Sequence, residues 1–169
     1  MDYTFFNLNY KFFDLIDEDS GGVLVIMVGP PGSGKSTVAE KLMYDYGFVK
    51  ISPDEIRAEI TGDERDQSHN EEVFDVVYSR IIESLKSGKN VVYDATNCRS
   101  NYRFRVINAV RDYVYKIYCL CSTTSIGECL ERNRNRGRNV PDYVIENMYF
   151  TLKKHPPTVF EGYDAIFRF

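Results

Sequence analysis

Tryptophan is missing from this sequence, and so is any pair of cysteines at CxxC spacing. The four cysteines, Cys98, Cys119, Cys121 and Cys129, stand at no zinc-like interval from the two histidines, His69 and His155. That excludes a zinc finger and a dithiol redox centre, and the thiols read as buried side chains in a reducing compartment. No apolar run is longer than Val23 to Val28, far short of the roughly 20 residues a membrane helix needs. The first residues also lack the basic start of a secretory signal. A soluble, cytoplasmic protein with no membrane contact is the expectation. Positive charge is in deficit, with 21 basic against 25 acidic residues and a net charge of −4. A protein that coats nucleic acid is basic overall, so any nucleic-acid contact here must be local and small. What the chain does have is 43% hydrophobic and 14% aromatic residues in a length of 169, enough for one domain with a substantial core.

Residues 1–22 stand apart from the rest as an aromatic and acidic extension. Phe6, Leu8, Tyr10 and Phe12 alternate with polar residues as in a strand, while Phe5, Leu8, Phe12 and Leu15 also fit a helical stripe. The acidic run Asp17-Glu18-Asp19 followed by Ser20-Gly21-Gly22 reads as a turn. The segment is expected to pack its aromatics on the domain formed by residues 23–169, and a partner surface is the other reading. From Val23 onward strands and helices alternate. Val23–Val28 is a wholly apolar strand. A helix follows over about Lys35–Tyr46, a strand over Phe48–Ile51, and helices over Pro53–Ile60 and Glu71–Ser87. Next come a strand at Val91–Ala95, a helix at Asn101–Arg111 and a strand at Val114–Cys121. Helices at Ser125–Arg136 and Pro141–Lys154 and a last strand at Asp164–Phe169 complete the reading. This pattern predicts an α/β fold with a mostly parallel sheet of four or five strands and helices on both faces. Ligands of such sheets sit at the carboxyl ends of the strands.

Gly29-Pro30-Pro31-Gly32-Ser33-Gly34-Lys35-Ser36-Thr37 matches the phosphate-binding pattern GxxxxGK[ST] in full, between a strand and a helix. Glycines let the backbone wrap a phosphate, and the helix N-terminus adds partial positive charge. Gly32, Ser33, Gly34, Lys35, Ser36 and Thr37 are therefore the candidate nucleotide contacts. Lys35 would reach the β- and γ-phosphates of ATP, and the Ser36 hydroxyl would ligate Mg²⁺. The guanine-specifying N-K-x-D motif is absent, and the chain is short for a motor ATPase. Both points favour a small phosphotransferase of P-loop kinase fold.

Three further constellations lie where the acceptor would be held. Ser52-Pro53-Asp54-Glu55-Ile56-Arg57 has capping-box spacing, which puts Asp54 in the first turn of a helix with Arg57 on the same face. The pair serves either as a dipole-complementing ion pair or as a proton-accepting carboxylate beside an anion-holding cation. Asp94, at the tip of the third strand, is placed to orient Mg²⁺-bound water. Thr96 and Asn97 are placed either to hydrogen-bond a phosphate or ribose or to cap the following helix. Finally, Arg132, Arg134, Arg136 and Arg138 form the one basic cluster, with Arg132 and Arg136 on one helical face. Over a triphosphate, an arginine-rich lid at about 132–140 would neutralise moving charge; otherwise it is a solvated face.

Together these pieces resemble the kinase domain of the polynucleotide 5′-hydroxyl kinases of bacteriophage and bacterial RNA repair. The matching stretches are GPPGSGKST at Gly29–Thr37, DEIR at Asp54–Arg57, DATN at Asp94–Asn97, and RNRNRG with VPDYVIENMY between Arg132 and Tyr149. The resemblance implies that Lys35 and Ser36 bind ATP·Mg²⁺ and that Asp54 is the general base on a 5′-hydroxyl of DNA or RNA. It further implies that Arg57, helped by Thr96, grips the phosphate on the 3′ side of the terminal nucleotide. Arg132 and Arg136 would then act from the lid, with Arg136 touching the transferring group. A net acidic protein fits a grip on only one or two terminal nucleotides. Two other readings stand beside this one: a P-loop kinase acting on a small-molecule or tRNA-linked hydroxyl, and a nucleotide-dependent binding module.

Overall fold

The computed structural model describes residues 10–18, 21–137 and 140–169. Among the described residues, five strands form one sheet in the order β2-β3-β1-β4-β5: β1 (Val23–Val28), β2 (Val49–Ile51), β3 (Val91–Tyr93), β4 (Lys116–Cys121) and β5 (Ala165–Arg168). Every pairing is parallel, from Leu24 beside Val91 to Tyr118 beside Ala165. The predicted doubly covered α/β sheet is therefore the fold.

β1 runs down the middle, and its six residues are all buried. Side chains alternate across a strand, so its apolar run is divided between two cores. Val23, Val25 and Met27 face Val38, Ala39 and Leu42 of α2 (Lys35–Tyr46) and Phe12 and Ile16 of α1 (Tyr10–Glu18). On the other face Leu24, Ile26 and Val28 meet a larger core. It is built by Ile56 of α3 (Pro53–Thr61), Val73, Val77 and Ile81 of α4 (Asn70–Lys86), Val106 and Ile107 of α5 (Ser100–Val110), and Leu152 of α7 (Asp142–Lys154). The remaining helix, α6 (Ile126–Arg134), begins with a true capping box between Ser125 and Glu128. Among the described residues no helix is long and apolar enough to cross a membrane.

The two periodicities that compete in the first residues resolve, over the described part, to helix. Phe12 is fully buried, with ring centroids 6.1 Å from Tyr118 and 5.0 Å from Phe167, and Phe13 stacks on Tyr46 at 5.0 Å. Asp17 and Glu18, expected in a turn, belong to this helix. Phe5, Phe6, Leu8, Asp19 and Ser20 lie outside the described residues. The capping box expected at Ser52 is also corrected. Ser52 holds the N-cap position of α3 without a side-chain cap bond, because Glu55 turns instead to Lys50 Nζ at 2.7 Å. The fourth strand starts at Lys116 rather than Val114, the chain before it being tied by the Tyr115 amide to the Gly22 carbonyl.

Truncating Phe12 removes a fully enclosed ring between β4, β5 and α1. Phe12→Ala is expected to cost about 3–5 kcal/mol of unfolding free energy, read by urea denaturation. A loss under about 1 kcal/mol would mean that α1 contributes little to the core.

Candidate active site

Three loops converge at the carboxyl ends of β2, β3 and β1, which are adjacent in the sheet. Between β1 and α2 the phosphate loop turns on Gly32 (φ 79°) and Gly34 (φ 91°), on either side of Ser33. These left-handed turns gather successive N–H groups on one side, as an anion-binding nest requires. Gly32 is demanded twice, since a Cβ there would fall on the backbone carbonyl of Cys129 in α6. Pinning from the other side comes from the Ser122 and Thr124 hydroxyls, which donate to the Ser33 carbonyl at 3.2 and 3.0 Å. Ser36 and Thr37 occupy the first turn of α2.

Lys35 is 8% exposed and donates from Nζ to the Pro30 carbonyl at 2.9 Å. Asp94, 9% exposed, lies at the tip of β3. Burial lowers the Lys35 pKa, against the pull of Asp94, and the Arg136 charge lowers it further. Burial raises the Asp94 pKa, against Lys35, a hydrogen bond from the Ser36 hydroxyl, and Lys50. Lysine, serine hydroxyl and carboxylate thus share one small volume. The hydroxyl and carboxylate are the hard oxygen donors that suit Mg²⁺.

The Asp94 loop is stitched to the phosphate loop. The Gly29 amide donates to the Thr96 carbonyl at 2.9 Å, and the Asn97 side-chain amide donates to the Met27 carbonyl at 2.9 Å. Asn97 is 3% exposed and left-handed at φ 47°. One N–H of its amide therefore braces β1. Neither Thr96 nor Asn97 caps α5, whose N-cap is Arg99.

At the tip of β2, Asp54 sits in the first turn of α3, and Arg57 Nη1 donates to its Oδ1 at 2.7 Å. Arg57 is 5% exposed and also donates to the Glu64 carbonyl and Asn70 Oδ1, each at 3.2 Å. Its buried Nε has no hydrogen-bond partner. Asp54 by contrast is open to solvent, its side chain 42% exposed.

On the other side of the phosphate loop, α6 carries Arg132, whose Nη1 lies 3.5 Å from the Gly32 carbonyl oxygen. Arg136 is exposed, and its charge reaches Lys35. Arg134 turns away into an ion pair with Asp142 at 2.7 Å. Arg138, the fourth arginine of the cluster, lies outside the described residues. A cavity of about 250 Å³ flanks the loop on the β4–β5 side, lined by Pro30, Ser122, Thr124, Tyr149, Lys153 and Arg168 among others. A second, of about 210 Å³, opens at the β2 edge, and the carboxylates of Glu55, Glu59 and Glu83 on its wall make it a poor phosphate site.

Sequence reasoning missed three members of this assembly. Lys50, on β2, pairs with Glu55 and carries positive charge toward Asp94; burial depresses its pKa, but the bond to Glu55 together with the charges of Glu55, Asp94 and Glu40 makes the net shift upward. Asn133, 2% exposed, donates to the Val140 carbonyl at 2.7 Å and accepts from the Val140 amide at 3.1 Å, tying together the two ends of the arginine segment. Arg103 is the third. A lysine within the short strand Val49–Ile51 is the one local signal among them; the other two depend on partners distant in the chain.

Both buried charges at the centre are disfavoured by the fold, which gives a signed expectation. The folded state holds the Asp94 proton more tightly than the unfolded chain, so stability falls as pH rises from 3.8 through the raised pKa. The folded state releases the Lys35 proton more easily, so stability rises again as pH climbs through the lowered pKa toward 10.5. The paired variant Lys35→Met, Asp94→Asn should lack both slopes. It should be more stable at pH 7 by about 1–4 kcal/mol while losing phosphoryl transfer. Calorimetric melting of the nucleotide-free protein across pH checks this; a less stable variant would show that mutual attraction outweighs desolvation.

Comparison with known proteins agrees with this geometry. The sequence profile of the AAA domain family matches residues 24–155. Over 150 residues the chain is 26% identical to a bifunctional polynucleotide phosphatase/kinase of Schizosaccharomyces pombe, covering 85% of this chain and 32% of that protein. Over 132 residues it is 27% identical to an L-seryl-tRNA(Sec) kinase of Methanococcus maripaludis, covering 75% of this chain and 51% of that one. The chain thus spans about a third to a half of these relatives. Among solved structures, a chain of the Pnkp1/Rnl/Hen1 RNA repair complex superposes with a TM-score of 0.73 at 25% identity, over 80% of this chain and 45% of that one. The phosphate loop, the parallel sheet and the profile match together make this chain a member of the AAA domain family, with a P-loop kinase fold.

Proposed function

We propose that the chain transfers the γ-phosphoryl group of ATP, with Mg²⁺, to the 5′-hydroxyl end of DNA or RNA. The observation that carries this reading is the Asp54–Arg57 pair, an exposed carboxylate bonded to a buried guanidinium whose Nε lacks a partner. A guanidinium with an Nη2 N–H to spare beside a proton-accepting carboxylate calls for an anion next to a hydroxyl. An acceptor with a phosphate beside its hydroxyl meets that requirement and brings the hydroxyl to Asp54. Similarity to a polynucleotide phosphatase/kinase and to a chain of an RNA repair complex supports the same acceptor class.

The residues present fit ATP·Mg²⁺. Gly32, Ser33, Gly34, Lys35, Ser36 and Thr37 would hold the phosphates, and the cavity bounded by Pro30 and Thr124 offers room for the nucleoside. Among the described residues no three histidine, cysteine or acidic side chains cluster as a protein-only metal site. Ser36 and Asp94 would therefore share the ion with phosphate oxygens, Asp94 acting through water. When bound, ATP·Mg²⁺ supplies the phosphoryl group and neutralises part of its charge. Asp54 accepts the proton of the attacking hydroxyl. Arg57 holds the neighbouring acceptor phosphate, with the help from Thr96 that the family resemblance implies. Lys35, Arg132 and Arg136 hold positive charge against the equatorial oxygens, which is most of what phosphoryl transfer requires. Donor and acceptor sites lie over β1 and β2, two strand spacings or about 10 Å apart.

A second reading has one observation behind it. Similarity to an L-seryl-tRNA(Sec) kinase favours a tRNA-linked hydroxyl that lacks an adjacent phosphate.

The deciding assay supplies γ-labelled ATP and Mg²⁺ with three acceptors in parallel: a 5′-hydroxyl oligonucleotide, a nucleoside 3′-phosphate and the bare nucleoside. Label on the first two alone is expected; label on none of them overturns the proposal. Asp54→Asn should lower kcat by about 10²- to 10⁴-fold with ATP still bound. Arg57→Ala should raise acceptor KM by about 10- to 100-fold. An Arg57→Ala enzyme with unchanged acceptor KM would favour the tRNA-linked reading.

A further inference from the structure

Arg103 projects from α5 into the larger core, at 0% exposure. All five of its N–H donors are used. Nε and Nη2 fork onto the two carboxylate oxygens of Glu161 at 2.8 and 2.7 Å. Nη1 donates to the carbonyls of Asn97 and Cys98 at 3.0 and 3.2 Å, and Nη2 also donates to the His155 carbonyl at 2.9 Å. One guanidinium therefore binds three separate pieces of chain: the loop leaving Asp94, the end of α7, and the 3₁₀ turn Val159–Glu161.

Burying an ion pair seldom adds stability over apolar residues of the same size, because both charges lose their water. Such a pair is informative for the geometry it imposes. Here that geometry concerns the segment with the left-handed Asn97, at φ 47°. Asparagine visits that conformation more readily than other side chains with a Cβ, and here its surroundings select it. Two bonds do so from opposite ends, the Asn97 amide to Met27 and the Asn97 carbonyl from Arg103. The same segment contains Thr96, whose carbonyl receives the Gly29 amide, and begins at Asp94, which accepts from Ser36.

We infer that Arg103, held by Glu161, is a positioning residue for the nucleotide site: it fixes the 94–98 loop so that the Asp94 carboxylate is set against Ser36 for the metal-bearing phosphates. Arg103 touches neither nucleotide nor metal and acts through the loop. The inference rests on the P-loop kinase site and is independent of which hydroxyl is the acceptor.

The test is calorimetric binding of ATP to the full chain, with and without Mg²⁺, which needs no acceptor and no turnover. Arg103→Lys keeps the charge opposite Glu161 but cannot reach the Asn97 and Cys98 carbonyls together. It should lower the Mg²⁺-dependent gain in ATP affinity by about 10-fold, within the 10- to 100-fold range typical of residues that orient metal ligands. Mg²⁺-free ATP affinity should stay within about twofold of wild type, since the phosphate loop keeps its own bonds. Glu161→Gln, which preserves shape and one acceptor oxygen, should show the same defect at smaller size and serves if Arg103→Lys does not fold. Val110→Ala, a buried truncation at the far end of α5, controls for general loosening and should leave the Mg²⁺ gain intact. An unchanged Mg²⁺ gain in the Arg103 and Glu161 variants, or an equal loss in Val110→Ala, overturns the inference. Normal Mg²⁺·ATP binding without label transfer to any oligonucleotide would bear on the acceptor alone.

Discussion

Everything at the tip of this sheet depends on two opposite charges that the fold has taken out of water. Lys35 and Asp94 are each nearly buried, and burial pushes each toward its neutral form. Their mutual attraction works against this, as do the Ser36 bond to the carboxylate and the Pro30 bond to the ammonium. A pair held this way contributes little stability and demands accurate surroundings. Those surroundings are the stitches between loops: Gly29 to Thr96, Asn97 to Met27, and Ser122 and Thr124 to Ser33. The cost accepted here is the usual one at a site arranged for a ligand's charge and not for the resting protein's comfort.

Strand order converts this local arrangement into a directional one. With β2, β3 and β1 side by side, the Asp54–Arg57 pair, Asp94 and the phosphate loop stand in a row. The cavity beside Pro30 and Thr124 extends the row past β1 toward β4 and β5. Right-handed crossovers and parallel pairing bring every one of these loops to the same edge. Glu55, Glu59 and Glu83 gather on the flank beyond β2, and Arg132 stands on the opposite flank, on α6. A net charge of −4 is thus compatible with a positive centre.

Much of this was legible in the sequence, for identifiable reasons. β1 and α2 begin and end where the motif and the apolar run put them, since both are set by local chemistry. The proximity of Asp54 and Arg57 follows from helical spacing alone. The failures have a different character. Ser52 and Glu55 have the right spacing for a cap, but Lys50 offered Glu55 a charge-assisted partner from the neighbouring strand. Asn97 stood as a ligand contact or a helix cap, and it caps nothing: its amide braces a backbone carbonyl seventy positions earlier, a partner that local spacing does not show. Arg103 gave no signal at all, as its partners Glu161 and His155 lie 58 and 52 positions away along the chain. The N-terminal aromatics fit two periods at once, and contact with Tyr118 and Phe167 decided for helix.

The bond from Lys35 to the carbonyl of Pro30 has a consequence for selectivity among anions. The ammonium of the resting loop is partly engaged, by the Pro30 carbonyl and by Ser33 Oγ at 3.4 Å, which leaves one of its three N–H groups for an incoming ion. A small ion that meets this donor alone gains one contact for the hydration it loses. A triphosphate changes the balance, because it meets the lysine, the nest around Ser33 and the first turn of α2 at once. The loop thereby favours a polyanion that spans its whole length over an ion that meets the lysine alone.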